Sequence, residues 1–281
     1  MKYGVFMFAT DKAMHIADLA RAAEERGFES LWVPEHAHIP TERRTPYPLA
    51  RDGELPEMYT RIYDPFVTLG VAAGVTSEIK LGTGICLVSQ RDPIMLAKEV
   101  ASLDRLSGGR FLFGIGAGWL REEVEAMGTV FESRWQVAEE RIAAMKRAWT
   151  DDEVEYSGKF VNIPPTWIYP KPLQQPYPPV YIGAASRYAR QRVVDWGDGW
   201  LPNRTDPPFV ERGIADIRAR AEKAGRDPES TPTTVFGSAP EALDEYERMG
   251  VERCIHRLPS APAEEVLSEL DTFAKLVAGR R

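Results

Sequence analysis

The sequence lacks several features that would fix its compartment or its chemistry. Its two cysteines, Cys86 and Cys254, are far apart and have neither metal-site nor redox-pair spacing. No apolar run approaches the length of a transmembrane helix, and the apolar start at residues 3–8 is too short for a secretory signal. We therefore expect a cytoplasmic protein with reduced thiols and no membrane association.

A surplus of positive charge is also missing. The formal net charge is −7 and the pI is near 5.3, which disfavours binding to nucleic acid or to anionic membranes because both need a basic surface. The four histidines are scattered, so we expect no metal site. Serine-hydrolase elbows, phosphate-binding Gly-Lys-Ser/Thr motifs and Cys-x-x-Cys pairs are absent from the sequence.

What the chain has is an alternation of strands and helices over its 281 residues. Predicted strands cover residues 3–8, 29–33, 79–87, 110–115, 180–182, 199–201, 233–236 and 253–257. A predicted helix follows each strand, and the first runs from Asp11 to Arg26, with Thr10 or Asp11 as its cap and Gly27 as its stop. The later helices are expected from residue 65 and over 93–106, 134–149, 186–196, 208–224, 239–249 and 263–277. Asp64 and Asp92, each followed by a proline, are the predicted caps of the second and third helices.

Eight such units favour an α/β fold, a closed (β/α)₈ TIM barrel, over an open doubly wound sheet. We expect one barrel domain over residues 1–281, with insertions at the C-terminal face of the strands near residues 38–63 and 151–178. Small-molecule chemistry in such barrels occurs at that face.

A carboxylate and an imidazole stand where the second predicted strand ends, in Trp32-Val33-Pro34-Glu35-His36. Pro34 has no N–H group for a central ladder, so the strand stops before it. Glu35 and His36 are therefore predicted at the ligand-binding edge. His38 is a second candidate partner for His36.

Three glycine-rich stretches are predicted at the same edge. Gly82 and Gly84 lie near the end of strand three, and Gly114–Trp119 ends strand four. These glycines indicate either close approach of a ligand or tight packing at the rim. The small residues Gly183–Ser186 lead into a helix whose free N–H groups suit a phosphate, although Ser186 could serve only as a cap.

The ordered set of motifs resembles the bacterial-luciferase-like monooxygenase superfamily, and within it the branch of coenzyme F420-dependent oxidoreductases. The matching stretches are Trp32–His36, Leu81–Ile85, Ala97–Val100, Leu103–Arg110, Gly114–Trp119, Pro170–Pro172, Ile182–Ser186 and Asp198–Trp200. The resemblance implies a (β/α)₈ barrel that holds F420 or FMN in its mouth.

The resemblance also implies roles for individual residues. Glu35 and His36 would be the catalytic pair beside the reactive ring, and Gly84-Ile85 would be a non-prolyl cis peptide that backs the ring. The implied cofactor-binding residues are Gly84, Ile85, Cys86, Ala117, Gly118, Trp119, Gly183, Ala184, Ala185 and Ser186. Some F420-dependent sugar-phosphate dehydrogenases carry a glutamate where this chain has Trp119, so we expect Trp119 to be a wall and not the proton donor.

The expected function is an F420-dependent oxidoreductase that transfers a hydride between the deazaflavin C5 and a small organic substrate. His36 would orient the substrate or relay a proton, and Glu35 would fix its tautomer or bind the cofactor. The alternatives are an FMN-dependent monooxygenase that uses O₂ and reduced flavin from a partner reductase, and a non-catalytic cofactor-binding protein. A metal-dependent hydrolase is least favoured.

Several finer expectations follow from the resemblance and from the composition. Arg91, Arg187 and Arg190 are candidates to meet the anionic tail of F420, and residues 167–169 indicate an apolar or aromatic substrate. Trp32 and Trp119 are expected near the mouth, and the chain is expected to form a homodimer.

Overall fold

Eight parallel strands follow one another round a barrel in the computed structural model, which describes residues 1–280. The barrel strands are β1 Lys2–Phe6, β2 Ser30–Val33, β3 Lys80–Thr83, β5 Phe111–Gly116, β8 Val180–Ile182, β9 Gly199–Trp200, β10 Thr234–Phe236 and β11 Arg253–Arg257. They are ordered β10-β11-β1-β2-β3-β5-β8-β9, and a bridge between Trp200 and Thr233 joins the two ends. The fold is therefore the predicted (β/α)₈ barrel.

Helices surround the barrel. They are α1 Ile16–Glu25, α2 Pro65–Ala73, α3 Pro93–Leu106, α4 Arg121–Ala126, α5 Arg134–Thr150, α6 Arg187–Asp195, α7 Pro207–Lys223, α8 Leu243–Arg248 and α9 Ala263–Val277. Asp64 and Asp92 cap α2 and α3 as predicted, each accepting two backbone N–H bonds ahead of a proline at the first helical position. Within residues 1–280, no helix is long and apolar enough to cross a membrane.

The start of the first helix was predicted wrongly. The helix begins at Ile16, because the His15 side chain accepts the N–H of Ala17 and so caps it. Its predicted end is confirmed, since Gly27 has a positive φ of 73°. His15 thus has a structural role.

The connections also differ from the prediction. The third predicted strand is two pieces, since β4 Cys86–Leu87 follows β3 after a break and pairs with β5. Residues 154–166 form an antiparallel hairpin, β6 Val154–Ser157 and β7 Asn162–Thr166, where the sequence had indicated irregular chain. The short helix α4 was not predicted, and it is important for the site.

The barrel interior is filled below the mouth. Trp32 is completely buried and donates to the Ser30 hydroxyl at 2.8 Å. Gly82 makes room for it, because a Cβ there would lie 2.2 Å from the indole. Arg253, also buried, forms hydrogen bonds to both carboxylate oxygens of Glu29. Trp32 is therefore core and not part of the mouth, contrary to the expectation.

Candidate functional site

A cavity of about 570 Å³ opens at the carboxyl ends of the barrel strands. Every predicted site residue except Cys86 lines it: Glu35, His36, Gly84, Ile85, Ala117, Gly118, Trp119, Gly183, Ala184, Ala185 and Ser186. The structure thus brings together residues that follow four separate strands, β2, β3, β5 and β8, as the barrel topology requires.

Cys86 lies behind the cavity wall. Its side chain is completely buried in the hydrophobic core. Burial, together with the neighbouring Glu35 carboxylate, raises the pKa of the thiol well above its usual value. Cys86 is therefore a neutral packing residue, and the structure does not place it against a ligand in the cavity.

Glu35 is held in a hydrogen-bond network that does not include His36. One carboxylate oxygen accepts the Leu87 N–H at 2.6 Å, and the other accepts the Arg91 Nε–H at 2.6 Å. Arg91 also pairs with Asp64 and Glu99. Although burial lowers the pKa of Arg91, the Glu35 carboxylate raises it, and the net shift is upward. Glu35 therefore ties the end of β2 to β4, and Arg91 is engaged in this network instead of facing the mouth.

The partner of His36 is Glu123, on α4. His36 Nδ1 lies 2.8 Å from Glu123 Oε2, and Glu123 Oε1 accepts the Ala37 N–H at 3.2 Å. Trp119 Nε1–H donates to His36 Nε2 at 3.3 Å. Because the indole can only donate, His36 Nε2 carries the lone pair and Nδ1–H points to Glu123. The tautomer is therefore fixed by Glu123, and neither Glu35 nor His38 has that role.

Little in the sequence indicated Glu123. It is one of several charged residues that follow Trp119, and a charged run at a helix start is usually solvated. The structure buries its side chain completely. Buried carboxylates without an Arg or Lys partner are uncommon, so its burial beside an imidazole makes the pair a candidate functional arrangement.

Ile85 forms one side of the cavity above a set of glycines. The peptide bond between Gly84 and Ile85 is cis, as the resemblance implies. A Cβ at Gly116 would lie 2.0 Å from Ile85 Cδ1, and a Cβ at Gly183 would lie 2.6 Å from Ile85 Cγ2. Gly116 and Gly183 therefore leave the space that Ile85 occupies. Tight packing at the rim, one of the two predicted explanations, accounts for these glycines only in part, because Ile85 itself lines the cavity.

The segment that enters α6 presents free backbone donors to the cavity. The carbonyls of Ala184, Ala185 and Ser186 accept bonds from Trp200, Arg190 and Ala189. Their own N–H groups form no hydrogen bond within residues 1–280. Ser186 also caps α6 by accepting the Ala189 N–H. Free N–H groups at the positive end of a helix fit a phosphate, so these residues fit the anionic part of F420 or FMN.

Arginines without carboxylate partners lie near this segment. Arg134 lines the cavity and donates to the carbonyls of Gly118 and Phe131. Burial lowers its pKa, and the like charges of Arg121 and Arg192 lower it further. Of the predicted candidates, Arg190 pairs with Asp216 whereas Arg187 is exposed and forms no ion pair within the described chain.

The segment 38–63 covers one side of the mouth and adds aromatic side chains that the sequence did not single out. Tyr47 and Tyr59 line the cavity and are buried. Glu122 fixes the segment by accepting the N–H groups of Arg44 and Thr45 at 2.8 and 3.1 Å. The signal in the sequence that could have identified them is the presence of aromatic residues in an otherwise polar loop.

The second insertion does not reach the cavity. Trp167 is 74% exposed, and Tyr169 contacts Lys98 and Asp152 on the outside of the barrel. The substrate inference from residues 167–169 therefore has no structural basis. His256 also has a structural role, since it is buried and pairs with Glu269 at 2.7 Å.

Metal-binding geometry is not found among residues 1–280, in which no group of three or more His, Cys, Asp or Glu side chains could hold an ion. The cavity instead combines an apolar wall at Ile85, free N–H groups at residues 184–186 and an oriented imidazole. That combination suits an organic cofactor with a flat ring and a phosphate.

Comparison with known sequences gives matches over most of the chain. Residues 1–252 match the sequence profile of the family described as luciferase-like monooxygenase. An uncharacterized protein of Mycobacterium tuberculosis is 36% identical over 282 residues, with 99% of both chains covered. An FMNH₂-dependent dimethylsulfone monooxygenase of Pseudomonas putida is 34% identical over 156 residues, which are 53% of this chain and 42% of that protein.

Comparison with solved structures gives the same fold. Monooxygenase RslO1 from Streptomyces bottropensis superposes with a TM-score of 0.80 at 20% identity, covering 100% of this chain and 99% of that one. An F420-dependent secondary alcohol dehydrogenase, in complex with an F420-acetone adduct, gives a TM-score of 0.79 at 17% identity, with 100% of both chains covered. The similar proteins thus include one described as FMNH₂-dependent and one described as F420-dependent.

Proposed function

This chain belongs to the luciferase-like monooxygenase family, and on that premise we propose that it is an F420-dependent oxidoreductase. The chemistry that this coenzyme supplies when bound is hydride exchange at its C5 atom with a small organic substrate. The remaining tasks fall to the protein: to bind and orient the two molecules and to move a proton.

The coenzyme would be held by residues that present a free hydrogen-bond donor or an apolar surface at the cavity. The N–H groups of residues 184–186 would take the phosphate, and Ile85 would back the ring system. Ala117 and Gly118 form the lip of the cavity at the end of β5. None of these groups has to break a bond within residues 1–280 to accept a ligand, which favours a preorganised site.

The observation that carries the proposal is the buried pair of Glu123 and His36. Oxidising or reducing a neutral organic molecule by a hydride leaves a proton to be added or removed. His36 Nε2 can take or give that proton at the cavity surface, while the Glu123 carboxylate stabilises the imidazolium through Nδ1–H. In this structure Trp119 Nε1–H donates to the same nitrogen and holds the ring in place, so that bond has to open before Nε2 takes a proton.

Unpaired positive charge favours F420 over FMN as the coenzyme. FMN carries one phosphate, whereas F420 carries a phosphodiester and a carboxylate tail. Arg134 lines the cavity and Arg187 is the first residue of α6, and neither forms an ion pair with a carboxylate within residues 1–280. Two guanidinium groups without carboxylate partners suit a ligand with several anionic groups.

A second candidate is an FMN-dependent monooxygenase that receives reduced flavin from a partner reductase. The 34% identity to an FMNH₂-dependent enzyme supports it, and the free N–H groups of residues 184–186 would serve an FMN phosphate equally well. A binding protein without turnover is the third candidate.

The test is a parallel titration of the apoprotein with F420 and with FMN, followed by tryptophan fluorescence. Trp119 and Trp135 line the cavity and report its occupation. We expect micromolar binding of F420 and much weaker binding of FMN. The reverse preference would transfer the assignment to an FMN monooxygenase, and binding of neither would contradict the site at Ile85 and residues 184–186.

Matched variants distinguish binding of the F420 tail from binding of the parts that F420 and FMN share. Arg134→Gln and Arg187→Gln should weaken F420 binding several-fold and leave FMN binding nearly unchanged. Arg147→Gln is the control, because Arg147 is exposed and pairs with Asp151 far along α5. An equal loss for both coenzymes would mean that the arginines bind only the shared phosphate.

Three further features complete the proposal. We propose that residues 1–281 are one barrel domain, since β11 pairs with β1 and β10 within the same sheet. We also propose a homodimer through the outer faces of α2 and α3, and a cytoplasmic location, in keeping with two buried free cysteines.

A further inference from the structure

Two tyrosine hydroxyls in the cavity wall leave one proton without an acceptor. Tyr47 and Tyr59 are only 6% and 9% exposed, and their hydroxyl oxygens lie 2.8 Å apart. The two phenols carry two protons, and the bond between them uses one. Neither hydroxyl has another partner within residues 1–280. A buried donor without an acceptor is costly, so this proton is available to a ligand.

The tyrosines belong to an aromatic box, which we define as Phe8, Tyr47, Tyr59 and Trp119. Ring centroids are 5.1 Å apart for Tyr47 and Tyr59, 5.7 Å for Tyr47 and Trp119, and 4.8 Å for Phe8 and Tyr59. His36 borders the box, with its ring 5.4 Å from Tyr59 and 5.8 Å from Trp119. All of these residues line the cavity.

The box lies on a different side of the mouth from the phosphate-binding segment. Phe8 follows β1, and Tyr47 and Tyr59 come from the segment after β2. Residues 184–186 follow β8, which is separated from β2 in the sheet by β3 and β5. Burial, reinforced by the bond to Tyr47, raises the pKa of Tyr59, so the phenol remains a donor at neutral pH.

We propose that the aromatic box is the substrate subsite and that it selects compact, planar, apolar molecules which carry a hydrogen-bond-accepting oxygen, such as aryl ketones. The oxygen accepts the hydrogen bond of the spare phenol proton, and the flat body packs against the rings that face the cavity. The inference rests on the proposed function because it places the coenzyme on the other side of the cavity. Binding of the probes to the box is measured before the coenzyme is added.

The test compares acetophenone with α-methylstyrene, which has the same shape but a CH₂ group in place of the carbonyl oxygen. Binding is followed by NMR on the Trp119 indole N–H, which Trp119→Phe assigns among the seven tryptophans. Acetophenone should bind about 3- to 10-fold more tightly, the range expected of one hydrogen bond. Equal affinities, or no shift of the Trp119 signal, would overturn the proposal.

The hydroxyl variants give a pattern that simple packing would not give. Tyr47→Phe or Tyr59→Phe alone leaves one phenol with a free proton, so the preference for acetophenone should persist. Only the double variant should lose it, while α-methylstyrene binding stays unchanged. Tyr169→Phe, an exposed position on the outside of the barrel, is the control. A preference that survives in the folded double variant would contradict the assignment.

Addition of the coenzyme separates this inference from the proposed function. If F420 binds and acetophenone remains bound, the box is a substrate subsite beside the coenzyme. Displacement of acetophenone by F420 would overturn the subsite. If no coenzyme binds, the proposed function fails, and the comparison of the two probes still decides whether the box recognises an oxygen.

Discussion

The imidazole of His36 lies 2.8 Å from the carboxylate of Glu123, although 87 residues separate them in the sequence. His36 follows β2, and Glu123 lies in the first turn of α4, which follows β5. Parallel strands end at the same edge of the barrel, so the two residues meet above β3. The contact gives the site an imidazole of fixed orientation, with its acceptor nitrogen towards the cavity.

The first prediction concerns the His36 tautomer. Glu123→Gln places an amide where the carboxylate accepted Nδ1–H, so the Nδ1-protonated form should lose its preference. Nitrogen-15 NMR of the four histidine rings measures this directly, with His36→Gln to assign the signal. Glu125→Gln, an exposed change on the same helix, should have no effect. An unchanged His36 tautomer in Glu123→Gln would show that Trp119 alone fixes it.

The second prediction concerns Arg91, which compensates the buried Glu35. Arg91→Met should destabilise the fold by about 3 kcal/mol, because it leaves a carboxylate buried without its cation. Urea unfolding measures the loss. Arg147→Met removes an exposed pair with Asp151 and should cost less than about 0.5 kcal/mol. Equal small effects in both variants would contradict the role of Arg91.

The third prediction concerns the pH dependence of the segment over the cavity. Burial raises the pKa of Glu122, but the N–H groups of Arg44 and Thr45 outweigh it, and the pKa falls to about 2. A lowered pKa stabilises the folded state above the ordinary value of 4.5, and this contribution is lost as the pH falls towards 2.

The stability difference between the wild type and Glu122→Gln should therefore be constant above about pH 5 and shrink as the pH is lowered. Urea unfolding at several pH values checks this. Glu42→Gln, in the same segment, should give no such trend. A difference that stays constant down to pH 3 would show that the Glu122 charge is not what holds the segment.

The fourth prediction concerns the seat of Ile85. Gly116→Ala should cost about 1–3 kcal/mol, because the new methyl group would lie 2.0 Å from Ile85 Cδ1. Adding Ile85→Ala removes the clash, so the double variant should lose less stability than the sum of the single variants. Gly70→Ala is the control, since nothing lies within 4 Å of its added Cβ. Additive losses would mean that the two residues do not contact each other.

The fifth prediction concerns the proposed homodimer. Val67 on α2 and Met95 on α3 are 68% and 58% exposed, and the two helices are neighbours. Sedimentation equilibrium should give twice the chain mass of 31.5 kDa for the wild type. Val67→Glu and Met95→Glu should give the single mass, whereas Leu106→Glu, also exposed on α3, should not. A monomeric wild type would contradict the proposal.

Local signals were sufficient for the fold. The alternation of buried strands with capped helices predicts parallel strands with right-handed crossovers, and eight such units favour a closed barrel. Asp64 and Asp92 were recognised as caps for the same reason, since a cap depends on three or four neighbouring residues. The first helix was misplaced because His15, which seldom caps a helix, displaced the stronger candidates Thr10 and Asp11.

The positions of the site residues also followed from the sequence, because strand ends in a barrel share one edge. Their partners did not follow. Whether Glu35 turns towards His36 or towards Arg91 depends on packing between β2, β4 and α3. The local sequence around Glu35 does not contain that information. The same limit applies to Cys86, which the resemblance implied as a cofactor-binding residue and which the core buries.

The sequence by itself determined the barrel, the edge at which the site lies and the glycines that leave room there, since backbone geometry and periodicity are local properties. Only the tertiary structure decided that Glu123 pairs with His36, that Tyr47 forms a hydrogen bond with Tyr59 and that Arg134 bonds to carbonyls instead of a carboxylate. The two side-chain pairs join residues 87 and 12 positions apart, and they are set by how the whole chain packs.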